Sequence, residues 1–253
     1  MLDKTLYEMI FKRKSFHLFR NVGEETLSSE ELKNIEDYFY TLTPLVPEIK
    51  VKIRITNNTT CHRGQEYCIC FYSEIKDNYL QNIGYLGEQL DLYLVKRNIG
   101  TLWFGIGKVK EEKLDGLDYV IMIAIKKISD ISCYRKDMFK SKRKALSEVW
   151  DCDDKQEIGN IVRFAPSACN TQPWYVKKVD GIYNVYRYKK QGIRGIMPAK
   201  LVTFYNRIDV GIFLCFLEIV LLKEGIEYSR TLYVENNENK EYNLTASYKL
   251  LGE

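Results

Sequence analysis

The sequence has no paired CxxC spacing, no apolar run long enough to span a bilayer and little surplus of either charge. Each absence removes a class of protein. The seven cysteines, Cys61, Cys68, Cys70, Cys133, Cys152, Cys169 and Cys215, are odd in number and suit neither a zinc site nor a disulfide scaffold. Reduced thiols in a cytoplasmic protein are the expectation. The longest apolar run, VGIFLCFLEIVLL (210–222), contains Glu218 and falls short of the roughly 20 residues that a membrane helix needs; it reads as a buried helix. The N-terminal MLDKTLYEMIFKRKSF has an early acid and no long apolar core, so no signal peptide is expected. A net charge of +4 is too small to argue for nucleic acid. There is no GxGxxG with an acidic partner, hence no Rossmann fingerprint.

What is present is a globular composition, 45% hydrophobic over 253 residues, enough for one large domain or two small intimate ones. Two stretches answer each other: NIGYLGEQLDLYLVKRNIGTLWFG (82–105) and RIDVGIFLCFLEIVLLKEGIEYSR (207–230). Each has an early Gly, a helical apolar stripe (Leu86, Leu90, Leu94; Ile212, Phe216, Val220), a later Gly suited to a left-handed C-cap and a β-prone tail. Before the first lie an N-terminal helix, a polar helix near 29–41 and strands at KVKIRIT and YCICFY. Before the second lie a helix expected over 145–163 and a hairpin turning at Asp180-Gly181. YVIMIAIKK (119–127) follows the first, and strands near 227–234 and 241–249 follow the second. The pattern predicts an α+β fold made of two diverged repeats, 1–144 and 145–253.

Three stretches carry chemistry. FKRKSFHLF sets Arg13, Lys14, Ser15 and His17 close together, where a guanidinium fork and a hydroxyl can meet phosphate. KSKRKAL adds Lys142 and Arg143 near the boundary between the halves; it reads equally as a solvated linker. In RFAPSACNTQPWYV (163–176), Pro166 and Pro173 stiffen a platform. Ser167 and Asn170 offer hydrogen bonds there, the backbone N–H groups near Ala168 can approach a planar ring, and Trp174 can anchor the loop to a sheet.

APSACNTQPW resembles the A-P-S-x-x-N-x-Q-P-W signature of the flavin-dependent nitroreductase-like family. RKSFH resembles its R-x-S-x-R/K element, and GEQLDLYLVKRNIGTLWFGIG its central helix and glycine-aromatic turn. The resemblance runs from residue 13 to about 225. It implies a nitroreductase-like fold, FMN at a subunit interface and NADH or NADPH as donor. The departures are specific. Where the first half should carry the Pro-Ser loop it reads TLTPLVPEIKVKI, and no R-x-S element clearly precedes the loop in the second half. Each half has what the other lacks, so the expectation is an intramolecular pseudo-dimer with one composite site.

By that resemblance, Arg13, Lys14, Ser15 and His17, with Lys142 and Arg143, hold phosphate or ribityl oxygens. Pro166, Ser167, Ala168 and Asn170 address the ring, and Trp103, Phe104 and Gly105 pass beside it. No residue is expected to act as a dedicated catalytic acid or base; neither His17 nor His62 is assigned one, and Cys169 is read as structural. The implied reaction is ping-pong hydride transfer from NAD(P)H to a nitroaromatic, quinone or similar acceptor. A flavin-binding protein without turnover is the alternative, and an anion-binding or nucleic-acid module ranks third. Partners are small molecules, with neither nucleic acid nor membrane expected; a monomer is favoured and a dimer remains open.

Overall fold

The computed structural model describes residues 2–188, 197–235 and 240–251. Its elements follow the hydrophobic periodicities closely. In chain order they are α1 (Tyr7–Lys12), α2 (Ser29–Phe39), β1 (Val51–Thr56), β2 (Tyr67–Ser73), α3 (Tyr79–Lys96), β3 (Ile99–Phe104), β4 (Lys113–Leu114) and β5 (Leu117–Lys127). Then come β6 (Trp150–Asp151), α4 (Gln156–Val162), β7 (Trp174–Val179), β8 (Ile182–Tyr188), α5 (Val202–Lys223), β9 (Tyr228–Leu232) and β10 (Tyr242–Leu250).

The strands form two sheets. The first has the order β1-β2-β5-β3 with β4 also on β5, and the second β6-β7-β8-β10-β9. All pairs are antiparallel except the short β6–β7 ladder. Apolar faces of both sheets share one core with α3 and α5. The other face of the first sheet is covered separately by Phe16, Phe19 and Val22, so β2 is buried on both faces and reads as a continuous apolar run.

The two long helices touch along their lengths through glycine. A Cβ on Gly84 would lie 2.0 Å from the Ile208 carbonyl oxygen, and one on Gly211 would lie 2.0 Å from that of Gln81. The approach is reciprocal, backbone against backbone, and only a missing side chain permits it. α5 is buried nearly all round, which explains its long, predominantly apolar sequence. Among the described residues no helix is long and apolar enough to cross a membrane.

Two expectations need correction. The helix expected over 145–163 is α-helical only from Gln156, with a single 3-10 turn at Leu146–Glu148 before it. Ahead of it Trp150–Asp151 pairs with β7, and Asp154 turns away to accept from Tyr183 Oη at 2.6 Å and from Lys178 Nζ at 2.5 Å. At the end of α3 the left-handed residue is Asn98 (φ 56°), not Gly100, which sits in β3 where a Cβ would strike Ile128 and Phe16. Gly225, by contrast, takes φ 69° after α5. The hairpin turns at Asp180 (φ 50°) and Gly181 (φ 77°), the pair of positive angles a tight two-residue turn requires.

Candidate functional site

The site grows from a buried acid on α3. Asp91 Oδ2 accepts from Arg13 Nε at 2.8 Å and from Trp103 Nε1 at 3.0 Å, while Oδ1 accepts from Thr101 Oγ1 at 2.5 Å. Trp103 Nε1 also reaches Glu88 Oε2 at 3.2 Å. These bonds lock the N-terminal segment to β3, as does the backbone: Ser15 bridges Thr101, and Phe16 N donates to Thr101 O at 2.9 Å. Burial, aided by Asp91, pushes the Glu88 carboxyl well above its ordinary value. Burial opposes the Arg13 charge, but Asp91 and Glu88 outweigh it and hold Arg13 above its ordinary value.

The second wall is the loop after α4. Ser167 Oγ accepts from Gln172 N at 2.9 Å, and Asn170 N donates to Ser167 O at 3.0 Å. Cys169, Asn170 and Gln172 take positive φ of 50°, 55° and 49°, so the chain turns tightly on itself. Trp174, fully buried, stacks on Phe213 of α5 at 5.1 Å. From α5, Asp209 Oδ1 accepts from Ala168 N at 2.9 Å and Tyr205 Oη donates to Gly105 O at 2.7 Å. One helix therefore ties the loop to the glycine turn after β3.

Between these walls is a cavity of about 280 Å³. Ser15, His17, Trp103, Phe104, Gly105, Pro166, Ser167 and Ala168 all line it, so sequence positions some 150 apart meet there. Five residues expected at the ligand do not line it. Arg13 is buried behind Ser15, with Nη1 3.4 Å from Ser15 Oγ, because its charge is balanced by Asp91. Lys14 Nζ donates to Cys133 O at 2.7 Å. Asn170 spends its amide on Arg143 Nη1 (2.9 Å) and on Lys142 O (3.1 Å), which also explains the positions of Lys142 and Arg143. The Ala168 N–H, expected to face a ring, is taken by Asp209.

The sequence reading missed Arg63, Tyr205 and Asp209, which also line the cavity. Arg63 lies 5.5 Å over the Phe104 ring and comes from an aperiodic turn that gives no sequence signal. Asp209 had one: an acid set between Ile208 and Val210, immediately before the apolar run of α5. Near the loop, cations crowd. Burial, then Arg135, Arg13 and Arg163, lowers the Arg143 guanidinium to about 10, and burial with Arg13 lowers Arg135 to about 10. Both stay charged at neutral pH and would gain from a nearby anion.

The family model described as "Putative TM nitroreductase" matches residues 5–220. The chain belongs to this family. A crystal structure of a "putative nitroreductase" from Thermotoga maritima is similar at 18% identity, with a TM-score of 0.62 over 97% of this chain and 93% of that one. That similarity bears on the fold. No curated protein sequence matches. Membership in the nitroreductase family points to an oxidoreductase, and such enzymes generally use a flavin. The residues present suit that group. The cavity is mostly apolar with a glycine at its edge, and Arg63 brings a cation to its wall. A planar ring with an anionic tail meets both features.

Proposed function

We propose that this nitroreductase-family chain is an FMN-dependent oxidoreductase that moves hydride equivalents from NADH or NADPH to a nitroaromatic, quinone or related electron-poor acceptor in a ping-pong sequence. One observation carries the reading: Ser15 and the Trp103–Gly105 turn share a single cavity with the Pro166–Ala168 loop. These are the stretches whose sequences resemble the family's flavin-contacting elements.

The reading includes the pseudo-dimer, with halves 1–144 and 145–253. Its support is the reciprocal crossing of Gly84 and Gly211, one long helix per half, and five strands in each sheet. A composite site within one chain needs no second copy, so a monomer is favoured. Seven free cysteines favour a reducing, cytoplasmic setting.

Bound FMN would supply the two-electron chemistry. The chain's own part is to hold and shape. Ser15 and His17, with Arg63 as an added cation, would grip polar and phosphate oxygens; Arg135 and Arg143 would supply positive potential, and Arg13 would fix Ser15 from behind. Gly105, against which Tyr205 packs so closely that a Cβ would meet its ring at 2.6 Å, would admit the ring edge. Trp103 would form an apolar floor, itself oriented by Asp91.

The test is the visible spectrum of the chain after FMN is added, followed by anaerobic NADH or NADPH. A bound flavin that bleaches, then recovers with a nitroaromatic or quinone, supports turnover. Flavin that binds but does not bleach favours a binding protein, and no uptake of FMN removes the flavin reading.

A further inference from the structure

Asp209 has so far appeared only as an anchor for the loop. It lies on α5, one turn beyond Tyr205, lines the cavity and is 4% exposed. Oδ1 accepts the Ala168 N–H, whereas Oδ2 is buried and has no hydrogen-bond partner among the described residues. An ionised carboxylate so placed, with one donor and no cation, is costly. Burial accordingly holds the carboxyl well above its ordinary value, with the Ala168 N–H opposing only in part, so the site favours the neutral form.

A neutral carboxyl donates as well as accepts. With Oδ1 committed to Ala168, the proton resides on Oδ2, where it is a buried donor without an acceptor. Such a group costs about 1–3 kcal/mol. In the wall of a cavity it marks a place where a ligand can provide what is missing. Anchoring a loop does not by itself require an acid. Asn82 stands two residues before Gly84 as Asp209 stands two before Gly211, and its Oδ1 accepts from Leu45 N at 2.9 Å and Val46 N at 3.0 Å. The amide does that work, and Asn82 is not among the residues lining this cavity.

We infer that Asp209, in its neutral form, donates a hydrogen bond from the α5 wall to an acceptor atom, a ring nitrogen or carbonyl oxygen, of the flavin-class ring that the cavity takes. The inference rests on the flavin reading above. The titratable and charged groups sharing the cavity are His17 from the N-terminal segment, Arg63 from the turn before β2, Cys169 from the loop and Tyr205 from α5 itself. Tyr205 is committed to Gly105 O. α3 presents the uncharged Gln81 where it crosses α5.

The experiment is the dissociation constant of FMN for the full chain, read by quenching of flavin fluorescence at about pH 6 and about pH 9, in the parent and in Asp209→Asn. Because the neutral form binds, affinity is complete below the Asp209 pKa of the free protein and is lost as pH rises through it. The parent is expected to bind about tenfold more weakly at the higher pH, equivalent to about 1.4 kcal/mol. The Asn variant keeps a donor and an acceptor but cannot ionise, and should change less than about threefold. Circular dichroism checks folding, and Asp209→Ser, a smaller uncharged donor, replaces Asn should that variant not fold. A residue that only anchors the loop gives another result, since a carboxylate accepts from Ala168 at least as well as the acid. Parallel pH profiles, or a folded Asn variant that does not bind, overturn the inference. A parent that binds no FMN at either pH overturns the flavin reading and this inference together.

Discussion

Seven residues beyond its crossing glycine, each long helix carries a buried acid: Asp91 on α3 and Glu218 on α5. Nineteen residues beyond the glycine stand Trp103 and Arg230, and each bonds the acid on the long helix that precedes it. The surroundings then diverge. Glu218 accepts from the hydroxyls of Tyr85 (2.7 Å), Tyr228 (2.6 Å) and Tyr248 (2.7 Å) as well as from Arg230 Nη1 (2.5 Å). Arg230 Nη2 continues to Leu45 O at 3.2 Å, in the segment where the first half lacks the Pro-Ser loop. On the other side, the cavity is lined by Asp209, whose Oδ2 has no hydrogen-bond partner among the described residues. Under the proposed duplication, the protein's own side chains fill one of the two related places, and the other is left for a ligand.

The comparison breaks most easily at the crossing. Gly84→Ala and Gly211→Ala each drive a methyl into a carbonyl oxygen that cannot yield without moving a helix. Each should cost about 4–5 kcal/mol, an effect reserved for such clashes. Urea midpoints measure it, and the two losses should agree within about 1 kcal/mol. A mild effect at one glycine and a severe one at the other would end the idea that the crossing is symmetric.

Glu218→Ala sharpens the contrast between the filled end and the open one. It strands three hydroxyls and a guanidinium, so a loss of about 3–4 kcal/mol is expected. FMN affinity should stay within about threefold, because Glu218 does not line the cavity. Asp91→Ala should lower both stability and affinity, since Trp103 bonds that carboxylate directly and Ser15 is tied to it through Arg13.

What could be read from the sequence was contiguous. The proline-bounded loop, the Trp103–Gly105 turn and Ser15 announce themselves within a few residues, and the structure brings them to one cavity. Arg13 looked like a phosphate ligand because its real partner, Asp91, lies 78 residues away, and nothing local reveals that pairing. Asn170 stays out of the cavity lining for a similar reason: Arg143, 27 residues earlier, claims its amide. Tyr205 and Asp209 are four apart on α5 and so share a face, but the apolar run that follows them drew attention to a core helix and away from the acid beside it. Residues 145–155 read as helix by continuity, whereas pairing with β7 and the bonds to Asp154 decide otherwise.

The smallest expected effect tests the two loop anchors directly. In the folded chain burial raises the Asp209 carboxyl well above its ordinary value; unfolded, it ionises near its ordinary value of about 4. Between those two values the folded state holds one more proton, so this residue's contribution to stability falls as pH rises through that window. Asp209→Asn removes the proton uptake while keeping an acceptor for Ala168. It should therefore stabilise the free protein at neutral pH, and by nothing below about pH 4. Asn82→Asp is not the mirror image, because two N–H groups already converge on its Oδ1 and would hold a charge better than the single donor at Asp209. Its cost at neutral pH should be smaller than the gain at 209. Melting temperatures of both variants at about pH 4 and pH 7 decide the matter. A stabilised Asp209→Asn would mean that the chain tolerates a costly acid where an amide anchors the loop as well, and that the acid is kept for what it does in the cavity.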